Sequence, residues 1–522
     1  MNAEAKNERS ASDLGNKDSV PAPAQVFPVG GGVLPSIEEQ QEQRHLFTYA
    51  EGQKILRKLD WHLLPIMMTA YLLRGLDQGA ISYVKTMNPH SSRNILRQLH
   101  MTDNGFSYAS TVFTLFYALG ELPSNLLLKK VTPRWHYLRI IGLWSIAAAC
   151  QAAAKGEAGL LVARSFLGLF EAGLAPGLYL HLTFWYRPDE IGVRIAAISA
   201  LYQFANIFTA FLTYGLSFAN GRGGVSGWQW VFIVNGLLCF PVGLAVWIWM
   251  PNYPDTAKFL TNEERAWVVG RLPSSSSRAV DSSFSSPELQ KEIRNITNYV
   301  FAITLMFYQS GLLGYLFWLP TIIAGFGISD TATVQLLNIP PAFLYWAGGV
   351  CGAYINDRAT GVPRVFMFCI ACSLWVAGLF CLAFVKSKAG LYAIVCIVSV
   401  PAAWGFNAFL PWRVQTIRGS TSAAFIMAFM NGSGQIPGLW SAQIFRSKYK
   451  PRYTVPFMIL VALTLCSMVL SFACWYLTYD TEKETRRINA LRRAKGKNEN
   501  VVIDEDFEID ENVRYRNSER SI

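Results

Sequence analysis

The chain has 522 residues, 52% hydrophobic and only 16% charged, with a formal net charge of +11. A soluble domain carries about 25% charged residues, so the composition argues against a soluble enzyme and excludes secreted, fibrous and mainly disordered classes. The basic residues are dispersed over short polar segments and tails, which suits the positive-inside rule better than a phosphate-binding patch, and no nucleic-acid partner is expected.

Residues 1–60 are polar and lack the apolar core of a signal peptide, so the first membrane helix is expected to serve as the insertion signal behind an N-terminal tail. Stretches of about 20 apolar residues, long enough to cross a bilayer core of about 30 Å as helices, then recur down the chain. The first six are at 61–86, 105–128, 137–154, 158–185, 192–218 and 228–250. Residues 251–296 interrupt the series with a Ser-rich run and balanced charges, and read as a water-exposed linker with short amphipathic helices. Six more follow at 297–324, 333–355, 363–385, 389–412, 421–445 and 454–479, before a charged tail over 481–522. The expected organisation is an N-terminal tail, helices within 61–250, a central loop, helices within 297–480 and a C-terminal tail. With both termini cytoplasmic, inner segments hold 27 Lys and Arg against 11 outside, which sets the orientation. All nine cysteines lie in apolar spans and read as small core residues, Cys369-x-x-Cys372 included.

Ionisable side chains inside a bilayer helix cost several kcal/mol unless paired or hydrated, so they mark the candidate site. The first helix carries Arg74 and Asp77, three apart and so on one face. The fourth carries Arg164 and Glu171, seven apart and again on one face, with His181 further along. Two acid–base sets on separate helices can meet across a cavity, one holding a charged solute while the other exchanges a proton. The same residues are also explained as pairs that neutralise one another and fix the packing, with His181 as a polar packing residue. Glycines 75, 79, 168, 173 and 177 permit close helix approach, and Pro176 is expected to bend the fourth helix. Tyr202, Gln203 and Asn206, then Tyr308, Gln309, Tyr315 and Trp318, then Asn407, Asn431, Ser433 and Gln435, are further polar positions able to line a cavity or join helices. Phosphate-binding loops, dinucleotide fingerprints and metal-ligand spacings are not seen, so no cofactor or metal is expected.

Five stretches carry a family resemblance: DWHLLP at 60–65, ELPSNLLLKK at 121–130, ARSFLGLFEAGLAPG at 163–177, FWY at 184–186 and AYINDR at 353–358. Over about residues 55–480 the chain resembles the major facilitator superfamily. It looks most like the anion:cation symporter branch, the fungal allantoate, nicotinate, pantothenate and biotin permeases. The resemblance implies an all-α membrane protein of twelve transmembrane helices, in two six-helix bundles around a central site, working by alternating access. It implies proton coupling at Asp77 and Glu171 and a substrate carboxylate held by Arg164; Arg74, Gln78, Gln203 and Asn431 are added as substrate-binding candidates from their polar positions within the spans. Asp357 and Arg358 match the loop motif that gates the superfamily, with Ala353 where Gly is usual. The branch's first helix usually reads F-L-D-R-x-N; here it reads G-L-D-Q-G-A, so Gln78 replaces an Arg and Ala80 an Asn. Arg74, one turn back on the same face, is in place to supply the missing positive charge.

The expected function is proton-coupled import of a small organic anion, by a monomer in the plasma membrane. Alternatives are proton-coupled export of a secondary metabolite, a nutrient sensor with little transport, and an intramembrane enzyme. The fifth helix lacks the Gly/Pro signature of the superfamily's exporters. His181 lacks the acidic or amide partner an acyltransferase would need.

Overall fold

The computed structural model describes residues 46–128, 131–272, 286–328, 332–358, 362–416, 420–449 and 452–495. These residues are helical throughout, with short connections and no strand among them. The membrane helices are α1 (Tyr49–Val84), α2 (Asp103–Leu128), α3 (Pro133–Cys150), a broken fourth helix α4a (Glu157–Glu171) and α4b (Leu174–Thr183), α5 (Pro188–Ser217) and α6 (Gly227–Trp249). The second set is α7 (Ile296–Gly325), α8 (Ile339–Arg358), α9 (Arg364–Phe384), α10 (Lys388–Gln415), α11 (Ser420–Gln435) and α12 (Thr454–Lys495). All twelve expected spans are present. Seven of them are long and apolar enough to cross a bilayer by composition alone. The other five are shorter or carry charged residues, and pack into the same two bundles.

The apolar core divides along the chain. One cluster draws its buried residues only from Phe301 to Cys474, built around Trp318, Trp375 and Trp412. The buried residues of the other two come from Ile55 to Val268, and Phe317 is the one contributor packed across. The outer faces stay apolar where soluble helices would be charged: Leu237, Phe240, Ile397 and Val469 are all exposed. Hydrocarbon, not water, is the solvent that suits such faces. Between the bundles, α5 packs on α8, α1 on α7, and α2 on the 3-10 turns that follow α11.

Three departures from the expected spans have local reasons. The fourth span breaks at Ala172 and Gly173, not at Pro176. A proline ring clashes with the carbonyl four residues back. That residue is Ala172, which leaves the helix at ψ 136°, and Gly173 follows at φ 90°. The eleventh span, expected to reach 445, stops as an α-helix at Gln435, where Pro437 cannot continue the amide ladder and 3-10 turns take over. The first helix starts at Tyr49 because Ile55, Leu56 and Leu59 bury against the short helix Asn262–Gly270 of the central segment, with Trp267 beneath Gly52. Lys58 closes that contact with a 2.7 Å ion pair to Glu264.

Candidate functional site

The charged residues of α1 and α4a meet in the middle of the first bundle. Arg74, Asp77 and Gln78 stand at i, i+3 and i+4, and so share one face of α1. Glu171 is the last residue of α4a, placed by the break behind it. Its Oε1 accepts two hydrogen bonds, each of 2.7 Å, from Arg74 Nε and Gln78 Nε2. Its Oε2 is buried without a partner. Gln78 also accepts a hydrogen bond from Tyr202 on α5, so its amide bridges the acid to the second wall of the cavity.

Arg74 is held from every side. Nη1 donates to the Tyr71 hydroxyl at 3.1 Å, and the guanidinium carbon lies 5.2 to 5.7 Å from the ring centres of Tyr71, Tyr117 and Tyr202. Cation–π contacts of this kind gain strength when the cation is desolvated. The expected contact within α1 is corrected: Arg74 pairs with Glu171 on another helix, while Asp77 accepts a 3.2 Å bond from Trp144 Nε1 of α3. Sharing a face put Arg74 and Asp77 on the same side of the helix, but the neighbouring helices decide their partners.

Arg164 is different. It is 1% exposed, flanked by the rings of Phe113 and Phe232, and its Nε and Nη2 are buried without hydrogen-bond partners. Asp77 and Glu171 are within electrostatic reach but not bonded to it. A buried guanidinium keeping donors unmade is costly, unless another group completes them.

Arg164 lines a cavity between the bundles, together with Gln78, Tyr202, Gln203 and Asn206 of the first half and Tyr345, Ser399, Gln435 and Ser441 of the second. Its volume is about 180 Å³. One bound water needs about 10–15 Å³ on the same scale, so this is room for a solute, not a packing flaw. Among the described residues, the lining from the second half contains no charged side chain.

The remaining candidates are sorted by the same geometry. Gln203 lines the cavity with Oε1 unpartnered, whereas Asn431 lies outside the lining and donates to Glu121 of α2 at 2.9 Å. The Asp357 side chain lies outside the described residues; Arg358 is exposed, over the ring of Tyr354 at 4.9 Å. His181 is buried with Nε2 3.1 Å from the Asn252 carbonyl, a packing arrangement with no acid beside it. Tyr308 and Trp318 donate to the Ala402 and Ala442 carbonyls inside the second bundle, and Asn407 to the Gly349 carbonyl. Sequence spacing does not single out Tyr71, Tyr117 or Trp144, whereas Glu121, an acid inside an apolar span, meets the same rule that marks Asp77.

Residues 67–442 match the family model of the Major Facilitator Superfamily. The chain belongs to that superfamily. It is similar, at 28% identity over 89% of its length and 96% of the relative's, to the MFS transporter prlL of a fungal species. It is 27% identical to the major facilitator-type transporter hxnP of Emericella nidulans, over 86% of this chain and 90% of the relative. It is 29% identical to a putative tartrate transporter of Agrobacterium vitis, over 77% and 88%. Among solved structures the fold matches a bacterial homologue of the human lysosomal transporter Spinster, inward-facing, with TM-score 0.58 at 15% identity over 81% of this chain and 97% of that one. It also matches the xylose transporter XylE of E. coli in a partially occluded inward-open form, with TM-score 0.59 at 13% identity over 79% and 97%. As a major facilitator, the protein is a multi-pass membrane transporter that moves small molecules by alternating access of its two bundles.

The break in α4 holds Glu171 in place and supplies a stability test. At Gly173, φ 90°, an added Cβ would force a side chain into the left-handed region and would clash with Ser124 Oγ. Gly173→Ala is expected to cost about 1–3 kcal/mol of stability and most of the transport activity. Gly142→Ala, where a Cβ meets nothing within 4 Å, is the control and should leave both unchanged. Thermal melting of the purified proteins, beside uptake, checks it.

Proposed function

We propose that this protein is a proton-coupled importer of a small organic anion, of the anion:cation symporter branch. The observation that carries the reading is Arg164, a buried cation on the cavity wall with two donor nitrogens unmade. An arginine fork matches a carboxylate in geometry and charge. The uncharged lining of the second bundle suits a solute whose far end is neutral and polar or aromatic. A relative named as a putative tartrate transporter points the same way. Glu171 provides the coupling group: its free Oε2 is open to a proton, and protonation removes the charge that holds Arg74 at Oε1. Asp77, with Oδ1 equally free, is the second proton site. The cavity is complete within one chain, so the monomer is the working unit. The Lys and Arg distribution supports cytoplasmic termini, and a carrier that imports an external solute belongs in the plasma membrane.

Concentrative uptake of carboxylate solutes by cells expressing the protein is therefore expected to rise with an inward proton gradient and to collapse when an uncoupler dissipates it at fixed internal pH. Uptake unchanged by the uncoupler would sink the symport reading.

A further inference from the structure

We propose that Glu121 is a gating acid: through Asn431 it locks the two bundles together at the end of the cavity that faces the tails and central segment, and Arg74 competes for it. Helix α2 begins at Asp103, which forms a 3.1 Å ion pair with Lys85 beyond the far end of α1. The cavity-lining residues of α2 are Ser110, Phe113 and Thr114. Glu121 lies seven residues past the last of them, about 10 Å further along the axis. Helix α11 runs the other way, and Asn431 precedes the lining residue Gln435 by one turn. The Glu121–Asn431 hydrogen bond, 2.9 Å between residues 310 apart in sequence, thus crosses from bundle to bundle just beyond the cavity. Glu121 is only 9% exposed there. At the opposite end the bundles meet differently, with Lys85 Nζ 3.6 Å from the ring centre of Trp318 on α7.

Arg74 and the Tyr117 hydroxyl are within electrostatic reach of Glu121. On α3, Arg139 is engaged with Ser124 Oγ at 2.9 Å. On α4a, Glu171 binds Arg74; on α4b, His181 faces the Asn252 carbonyl; the 3-10 turns Ile436–Leu439 and Ser441–Gln443 after α11 carry no charge. Arg74 therefore has two carboxylates within reach, one bonded and one not. When Glu171 is neutralised, Glu121 is the carboxylate left for it. Both bonds to the Glu121 carboxylate are charge-assisted, but Arg74 adds the attraction of a full positive charge in a desolvated site, so the guanidinium displaces the neutral Asn431 amide. The lock opens and the tail-bearing end of the cavity parts. This last step rests on Glu171 carrying the proton; the lock itself does not.

The test is alkylation of Ser110→Cys by a membrane-impermeant thiol reagent, in full-length protein in sealed vesicles of each orientation. The modified peptide is quantified by mass spectrometry. Asn431→Ala is expected to raise labelling from the tail-bearing side by about tenfold, as loss of a hydrogen bond to a charged group would. Glu171→Gln should raise it too, but not in a Glu121→Gln background, where the amide keeps the bond to Asn431 and offers Arg74 no charge. Labelling of Asn431→Ala at the parental rate overturns the proposal. So does a rise from both sides together, which would mean a loosened fold. Opening by Glu171→Gln that persists with Glu121→Gln removes Arg74 from the mechanism. The assay needs neither substrate nor gradient. Uncoupler-insensitive uptake beside an opened Asn431→Ala would refute proton coupling and leave the lock standing.

Discussion

Replacing Arg164 by alanine is expected to abolish transport while leaving the protein folded. The two halves of that expectation have separate causes. Arg164 makes no hydrogen bond through Nε or Nη2, so its removal orphans no bonded partner and relieves the cost of a buried cation. Trp144 still serves Asp77, and Arg74 still serves Glu171. Stability should therefore change by less than about 1 kcal/mol, well short of the cost of breaking a buried pair. The bound solute, by contrast, loses a fork of charged donors, each worth roughly 1.5–3 kcal/mol. Two such bonds amount to at least about a hundredfold in affinity. Arg164→Lys keeps the charge but not the fork, and should fall between. Binding and uptake of a panel of monocarboxylates, dicarboxylates and neutral solutes, beside melting curves, separate the effects. A fully active Arg164→Ala protein, or a wild type that took up only neutral solutes, would end the organic-anion reading.

The membrane spans were legible because hydrocarbon imposes a length and an apolar composition that few other environments demand. What lay outside that rule was hidden. The first turns of α1, buried from Gly52 onward on one face, are amphipathic and depend on Trp267, more than 200 residues away. Pro176 announced a break in the fourth span, but its place follows from the ring clash one turn earlier, at Ala172. That difference matters for the site, since it makes Glu171 the last residue of a half-helix.

The candidate site was legible as a set of residues and not as a set of partners. Burying charge is expensive enough to mark Arg74, Asp77, Arg164 and Glu171 from composition alone. Helical spacing then says which of them share a face. It cannot say which helix stands opposite, and so Arg74 was matched with Asp77 when Glu171 and three tyrosine rings surround it. Gln78 read as the loss of a family arginine. In the structure it is a neutral bridge between Tyr202 and Glu171, beside an arginine that already occupies the acid. A second cation at position 78 would compete with Arg74 for the same oxygen.

Glu171→Gln is expected to uncouple the carrier without stopping it. The side chain keeps its shape, and an amide oxygen at the Oε1 position still accepts from Gln78, while the charge that held Arg74 is gone, as in the protonated acid. The amide nitrogen then occupies the position of Oε2, which has no partner in the structure and so places no demand on it. Glutamine therefore imitates the protonated acid permanently. A loaded carrier can cross in that state, whereas the empty return, which requires the proton to leave, cannot be coupled to the gradient. Net concentrative uptake should fall by about tenfold or more, equivalent to about 1.4 kcal/mol of lost coupling. Exchange between filled vesicles, which never uses the empty return, should stay within a small factor of wild type. Asp77→Asn should show the same division if Asp77 shares the proton, and equal loss of both activities if its bond to Trp144 is structural. Parallel measurement of uptake and exchange in reconstituted vesicles decides between them. Equal loss of uptake and exchange in Glu171→Gln would move Glu171 from proton coupling to direct contact with the solute, because a group needed in every crossing cannot be confined to the return step.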